Sequence, residues 1–249
     1  MSVNIVSFES YMAEGEEALG HGNMFDGAAA LFSKAVMVAN ATKHTINEVH
    51  ALQMLSVAYS LDGKPDLAKR YSSKAIMLAG DDDALVGRIL RDAGMAYLRQ
   101  AIHMPRGKKR DTLLIEADED FSNSYTLLTR SSDNRLEAAV TYGFMGRHRL
   151  IVGETEDAYR HFTAADKTLR GGSNPDYELN NLMWLLRADL SYSERWKYRK
   201  ERILPLIQLT GQTRRYDELR LIMIGGDPLY RFVERAGWIQ KLVQRLRGK

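Results

Sequence analysis

Four times along the chain a small residue, an aromatic and another small residue recur in the same order and at similar spacing. The clearest pass is Leu55, Ser56, Tyr59, Gly63, Ala68 and Ala75. Looser passes run Gly15, Leu19, Ala28, Phe32 and Ala35, then Ala93, Gly94, Tyr97, Ala117 and Phe121, and finally Met145, Gly146, Gly153, Ala158, Phe162 and Ala165. Small side chains let two helices approach closely, and the large ones fill the gaps beside them. A short helix pair cannot bury its apolar face alone, so repetition of this pattern predicts pairs stacked on their neighbours. Stacks of this kind usually bind rather than catalyse.

Apolar residues at three and four spacing continue almost from end to end, while the alternation of a strand is nearly absent, so the fold class is all-α. The breaks give the bounds of the helices. The first pair is expected from about Phe8 to Gly20 and from Phe25 to Ala39, the second from about Ile46 to Leu61 and from Pro65 to Ala79. In the turn between the last two, Gly63 ends one helix and Pro65, with its preset backbone angle, begins the next. Asp81 to Asp83, Ser131 to Asp133 and Asn174 before Pro175 are helix caps, whose side chains accept bonds from unpaired backbone amides. A helix from Ser193 to Leu209 is expected to kink or end at Pro205. Last comes an amphipathic helix after Asp227 and Pro228, with Leu229, Phe232, Ala236, Ile239 and Leu242 on one face, which is the cap that a stack of repeats needs.

These residues resemble the tetratricopeptide repeat family, over about residues 8 to 170. The resemblance implies helix-turn-helix repeats stacked as a right-handed α-solenoid with C-terminal capping helices. Residues 1–170 would form the array of four helix pairs, and residues 171–249 a degenerate repeat and the capping helices of the same continuous domain. The third repeat departs from the family, because Tyr97 and Ala117 stand 20 apart where its spacing is 9. The basic insertion near 101–111 is expected either to lengthen the first helix to about Met104 or to project as a loop, and its Arg106, Lys108, Lys109 and Arg110 are a candidate anion-binding site.

Family members commonly bind a partner segment along a concave face lined by the first helix of each pair. The resemblance assigns that groove here to His50, Gln53, Arg88, Arg91, Met95 and Arg147, with Ala13, Glu17, Val57 and Gly143 beside them. Ala13 and Glu17 stand where relatives that clamp a chaperone carboxylate place Lys and Asn, so that activity is not expected. The arginines remain, taken as surface groups, and guanidinium pairs bidentately with carboxylate or phosphate. The expected partner is therefore another protein or peptide, with an acidic segment as the sharper form.

Composition narrows the alternatives. The chain has no cysteine, hence no disulfide framework, thiol nucleophile or cysteine-ligated metal, which fits a cytoplasmic location. Neither a signal sequence at Met1 to Glu9 nor an apolar run of membrane-spanning length is recognisable. The six histidines show no metal-binding pair, and phosphate loops and nucleophile elbows are missing, so an enzyme is not expected and no cofactor or metal is called for. Glu116, Asp118, Glu119 and Asp120 read as a solvated helix face, and His148 as structural. Residues 187–249 carry 15 Lys and Arg against 7 Asp and Glu, together with a concentration of Tyr and Trp. This segment is read as a packed cap, or else as a dimerisation or docking surface. The function expected is a scaffold or adaptor; the alternatives are a sensor of a peptide or small anionic ligand, and an accessory nucleic-acid-binding protein acting through the basic loop and C-terminal segment.

Overall fold

In the computed structural model, residues 7–20, 24–188 and 197–223 are described, and all their regular structure is helical. The helices are α1 (Phe8–Gly20), α2 (Phe25–Ala41), α3 (Thr45–Leu61), α4 (Pro65–Ala79), α5 (Asp83–His103), α6 (Lys108–Leu128), α7 (Arg135–Val152), α8 (Thr155–Leu169), α9 (Pro175–Ala188), α10 (Leu204–Thr210) and α11 (Arg215–Met223). The predicted punctuation is present. Gly63 has φ +74° and Pro65 opens α4. Asp82 Oδ1 accepts from the Leu85 amide at 2.9 Å, Ser131 Oγ from Asp133, and Asn174 Oδ1 from Asp176 and Tyr177.

By compactness the chain divides into Met1–Arg130 and Ser131–Lys249. The pair α7/α8 belongs to the second unit. The first unit holds α1/α2, α3/α4 and α5/α6, with α2 also packed on α3 and α4 on α5. Phe32, Ala28 and Ala35 of α2 meet Leu55 and Ala58 of α3 in one core, and Val49, Leu52, Ala75 and Ile89 form the next. The small positions sit where the pattern put them: a Cβ added to Gly15 would lie 2.6 Å from the Phe32 ring, and one added to Gly94 would lie 3.0 Å from Phe121. The second pair has Ser56 in that role. Its hydroxyl donates to the Ala68 carbonyl at 2.8 Å, and Tyr59 stacks on Tyr71 with ring centres 5.4 Å apart.

In the second unit the same contact recurs between Gly146 and Phe162, where an added Cβ would lie 2.9 Å from the ring. Leu179, Leu182, Met183 and Leu186 of α9 continue this core, which Ile207 of α10 and Ile222 of α11 complete. Over its described part the segment expected as a helix from Ser193 to Leu209 is helical, from residue 197 through Thr210, but it is not uniform. A five-residue π turn, Arg199–Ile203, precedes α10, and Pro205 lies in the first turn of α10. Proline has no N–H to give to the preceding turn, so a helix start suits it and a helix interior does not. The amphipathic segment after Asp227, and the break at residues 21–23, lie outside the described residues. Among the described residues no helix is long and apolar enough to cross a membrane.

Candidate binding surfaces

The first helices of the pairs carry the residues expected to line a groove. On α3, His50 is exposed and Gln53 half-buried; on α5, Arg88 and Met95 are half-buried. Arg91 departs from the expectation of a surface guanidinium, being only 8% exposed. Its Nε donates to Asp92 Oδ1 at 3.2 Å, and the other oxygen of that carboxylate accepts from Gln53 Nε2 at 2.6 Å. Gln53, Arg91 and Asp92 thus join α3 to α5 by a polar tie, and Arg88 stands half-buried outside it. Arg147 belongs to the second unit, where its guanidinium lies over Phe144 at 4.4 Å and over Trp184 at 5.0 Å, a cation–π arrangement that fixes it on the α7–α9 face. Arg187 lies over the same Trp184 at 4.7 Å but is buried. Beside Arg147 a small pocket of about 50 Å³ is lined by Gly143 and Asn181, large enough for a water molecule.

The basic insertion resolves into longer helices rather than a long loop. Both α5 and α6 run 21 residues, and only four residues separate His103 from Lys108. Arg106, Lys108 and Lys109 are exposed. Arg110 is not part of an anion-binding loop: it is buried on α6, where its Nε donates to the Ala101 carbonyl at 3.2 Å. It staples the lengthened hairpin, and burial lowers its pKa.

The extra length of α5 has a second result. Gln100 donates to the Ser60 carbonyl at 2.9 Å, so the end of α5 stands against the end of α3. Between them opens a pocket of about 590 Å³. Its basic residues are Arg99, His103 and Lys109, and its apolar ones include Phe25, Leu61 and Met104. Sequence reading placed the insertion but missed this pocket, because its walls come from five helices.

Two charged clusters were also misplaced or unseen. Asp120, expected on a solvated face, is half-buried, and burial together with the neighbouring Glu116 raises its carboxyl pKa to about 7, against the pull of Lys69. Glu116 pairs with Lys69 of α4 at 3.1 Å. In the second unit Arg202 donates to both oxygens of buried Asp166, at 2.8 and 2.7 Å, and also to Glu178. Arg187 and Arg215 pair with Glu218. Burial alone would raise the Asp166 and Glu218 carboxyl groups, but their arginine partners hold both below their ordinary values. His148 is buried, as a structural role requires.

No protein-family model matches the chain, and no curated protein matches its sequence. Solved structures do resemble it. BtubC (BKLC) from P. vanneervenii superposes with a TM-score of 0.56 at 15% identity, covering 88% of this chain and 82% of its own. A Podosopora anserina protein described as a kinesin light chain with nearly identical TPR-like repeats gives 0.54 at 12% identity, covering 82% of this chain and 96% of its own. With the Gly–Phe contacts in register and these structural neighbours, the chain has a tetratricopeptide-like helical repeat fold.

Proposed function

We propose that this chain is a protein-interaction scaffold that holds an extended, acidic segment of a partner along its first helices. The fold supports the general reading, since stacked helix pairs present long surfaces without a catalytic centre. The observation that carries the finer reading is the α3–α5 face: Gln53, Arg91 and Asp92 tie the two helices together, while His50, Arg88 and Met95 stand beside the tie. A surface whose residues are already ordered loses little entropy when a flexible segment settles on it. Arg88 makes no ion pair among the described residues, so a partner carboxylate meets no internal competitor there.

The test is capture of partners from native lysate by the wild-type chain and by Arg88→Glu, at low and moderate salt, followed by affinity measurement with each purified candidate. Arg91 stays unaltered, because its reversal would bury a second carboxylate against Asp92. A partner that binds the wild type and is weakened about tenfold or more by Arg88→Glu, with helicity unchanged, supports the reading. Equal affinity for both proteins places binding elsewhere. Retention of nucleic acid alone, collapsing with salt in both proteins, would reject it.

A further inference from the structure

We infer that the pocket between the ends of α3 and α5 is a ligand site for a carboxylate carried on an apolar body. Four observations converge on it. Arg99 and Lys109 make no ion pair among the described residues, and no carboxylate lines the pocket. Asp26 and Asp62 are both paired with Lys64, at 2.9 and 2.6 Å, and the carboxylate whose charge acts on Arg99, Asp92, is held by Arg91 and Gln53. Ser60, which lines the pocket, is 2% exposed and its hydroxyl has no hydrogen-bond partner. A buried polar group without a partner is uncommon in a native protein and points to a group that the site receives. Phe25, Leu61 and Met104 supply an apolar wall, and about 590 Å³ is far more room than a water molecule or inorganic anion fills and falls within the range of small-molecule sites.

The chemistry of the lining selects the ligand. Guanidinium and ammonium groups at an open rim attract an anion, a serine hydroxyl and the Gln100 amide group offer hydrogen bonds, and the apolar wall favours a hydrocarbon or aromatic portion over a bare phosphate. A free amphiphilic acid and an acidic side chain next to a large apolar one in a partner segment share this chemistry. The peptide source rests on the scaffold reading above; the free acid does not.

The full-length chain is titrated with 1-anilinonaphthalene-8-sulfonate, an anionic aromatic probe whose fluorescence rises in an apolar site, and the bound probe is competed with decanoate, with decanol, and with a capped decapeptide of alternating Glu and Leu. The same titrations are run on Arg99→Glu/Lys109→Glu and on a control of equal charge change in the other unit, Lys167→Glu/Arg220→Glu. Expected are saturable binding to the wild type, displacement by decanoate or by the peptide but not by decanol at equal concentration, and about tenfold or greater weakening in the pocket variant alone. Displacement by decanoate assigns a free acid, and displacement by the peptide alone assigns a partner segment. Unchanged probe affinity in the pocket variant, equal weakening in the control, or equal displacement by decanol overturns the assignment. If the reversed pair lowers the melting midpoint, Arg99→Gln/Lys109→Gln carries the same comparison. Arg88→Glu separates the two proposals, since loss of partner capture with intact probe binding removes neither the pocket nor its ligand, and the converse leaves the α3–α5 face standing.

Discussion

Replacing Gly94 by alanine tests the close-packed register with a change of sign. An alanine in the middle of a helix is intrinsically better than glycine by about 1 kcal/mol, so a helix considered alone predicts stabilisation. In α5, however, the new Cβ would lie 3.0 Å from both Cδ1 and Cε1 of Phe121 and 3.1 Å from the Ala117 carbonyl oxygen. Phe121 and Ala117 are fully buried, so the ring has no space to retreat into and the carbonyl belongs to the backbone of α6. Overfilling a contact of this kind costs about 1 to 3 kcal/mol, and after the helix gain a net loss of up to about 2 kcal/mol remains. Thermal unfolding followed by far-ultraviolet circular dichroism should show a midpoint lower by up to about 8 °C. The internal control is Gly27→Ala at the start of α2, where the nearest atom to the new Cβ is 4.0 Å away and the midpoint should stay or rise. Adding Phe121→Leu to Gly94→Ala should cost less than the two single changes together, by about 1 kcal/mol, because the smaller side chain makes room for the methyl group. A midpoint that rises in Gly94→Ala as it does in Gly27→Ala, or strict additivity in the pair, would refute the packing argument.

Three further outcomes follow from the charged clusters. The Asp120 carboxyl titrates near 7 in the folded chain and near 4 when unfolded, so the folded state holds a proton that the unfolded state has released between those values; stability falls as pH rises from about 4 to about 7. Asp120→Asn should flatten that slope and raise stability at pH 8 by about 1 to 2 kcal/mol, a figure reduced for the partial solvent screening of this site, and melting midpoints across pH 4 to 8 will show whether it does. Arg202→Met leaves Asp166 and Glu178 buried without their shared cation and should destabilise the second unit by about 3 kcal/mol or more. All three tryptophans, Trp184, Trp196 and Trp238, lie in that unit, so denaturant unfolding followed by tryptophan fluorescence isolates the effect; an unchanged midpoint would mean the network contributes nothing. Because the folded Asp166 and Glu218 carboxyl groups titrate below their unfolded values, their contribution is complete above about pH 4 and disappears as acid protonates them, and the fluorescence midpoint in Arg202→Met should depend less on pH below 4 than the wild type's.

The fold was legible because it is written in local terms. Gly15 with Phe32, Gly94 with Phe121 and Gly146 with Phe162 could be read from spacing alone, since a helix turns its residues through fixed angles and the turns between the helices are short. The surfaces were less legible, for a physical reason that Arg88 and Arg91 illustrate. Both are arginines three residues apart on one helix, and nothing in that spacing separates them. The difference lies in Asp92 and in Gln53, a residue of another helix that holds this carboxylate from the other side. Arg110 was lost in the same way: its place in a run of cations pointed to solvent, whereas the carbonyl it binds belongs to α5. Asp120 sits among acids that look solvated in sequence, and only the position of Tyr97 and Lys69 across the helix pair shows that it is not. The extra residues near 101–111 were visible as an insertion, but whether they would lengthen helices or form a loop depended on packing against Ser60 that the spacing does not encode.

The Arg202 network also limits how this chain can be shortened. Repeat proteins are commonly trimmed one helix pair at a time, since each pair depends mainly on its neighbours. Asp166 on α8 and Glu178 on α9 are neutralised from the turn before α10, and Arg187 on α9 is answered by Glu218 on α11. A protein ending at Ala188 would therefore keep every residue of its last repeat pair and still present Glu178 and Arg187 with their counter-charges deleted and Asp166 with Arg170 alone. The smallest stable form of the second unit extends at least through α11, and limited proteolysis should spare that whole stretch together or release it together.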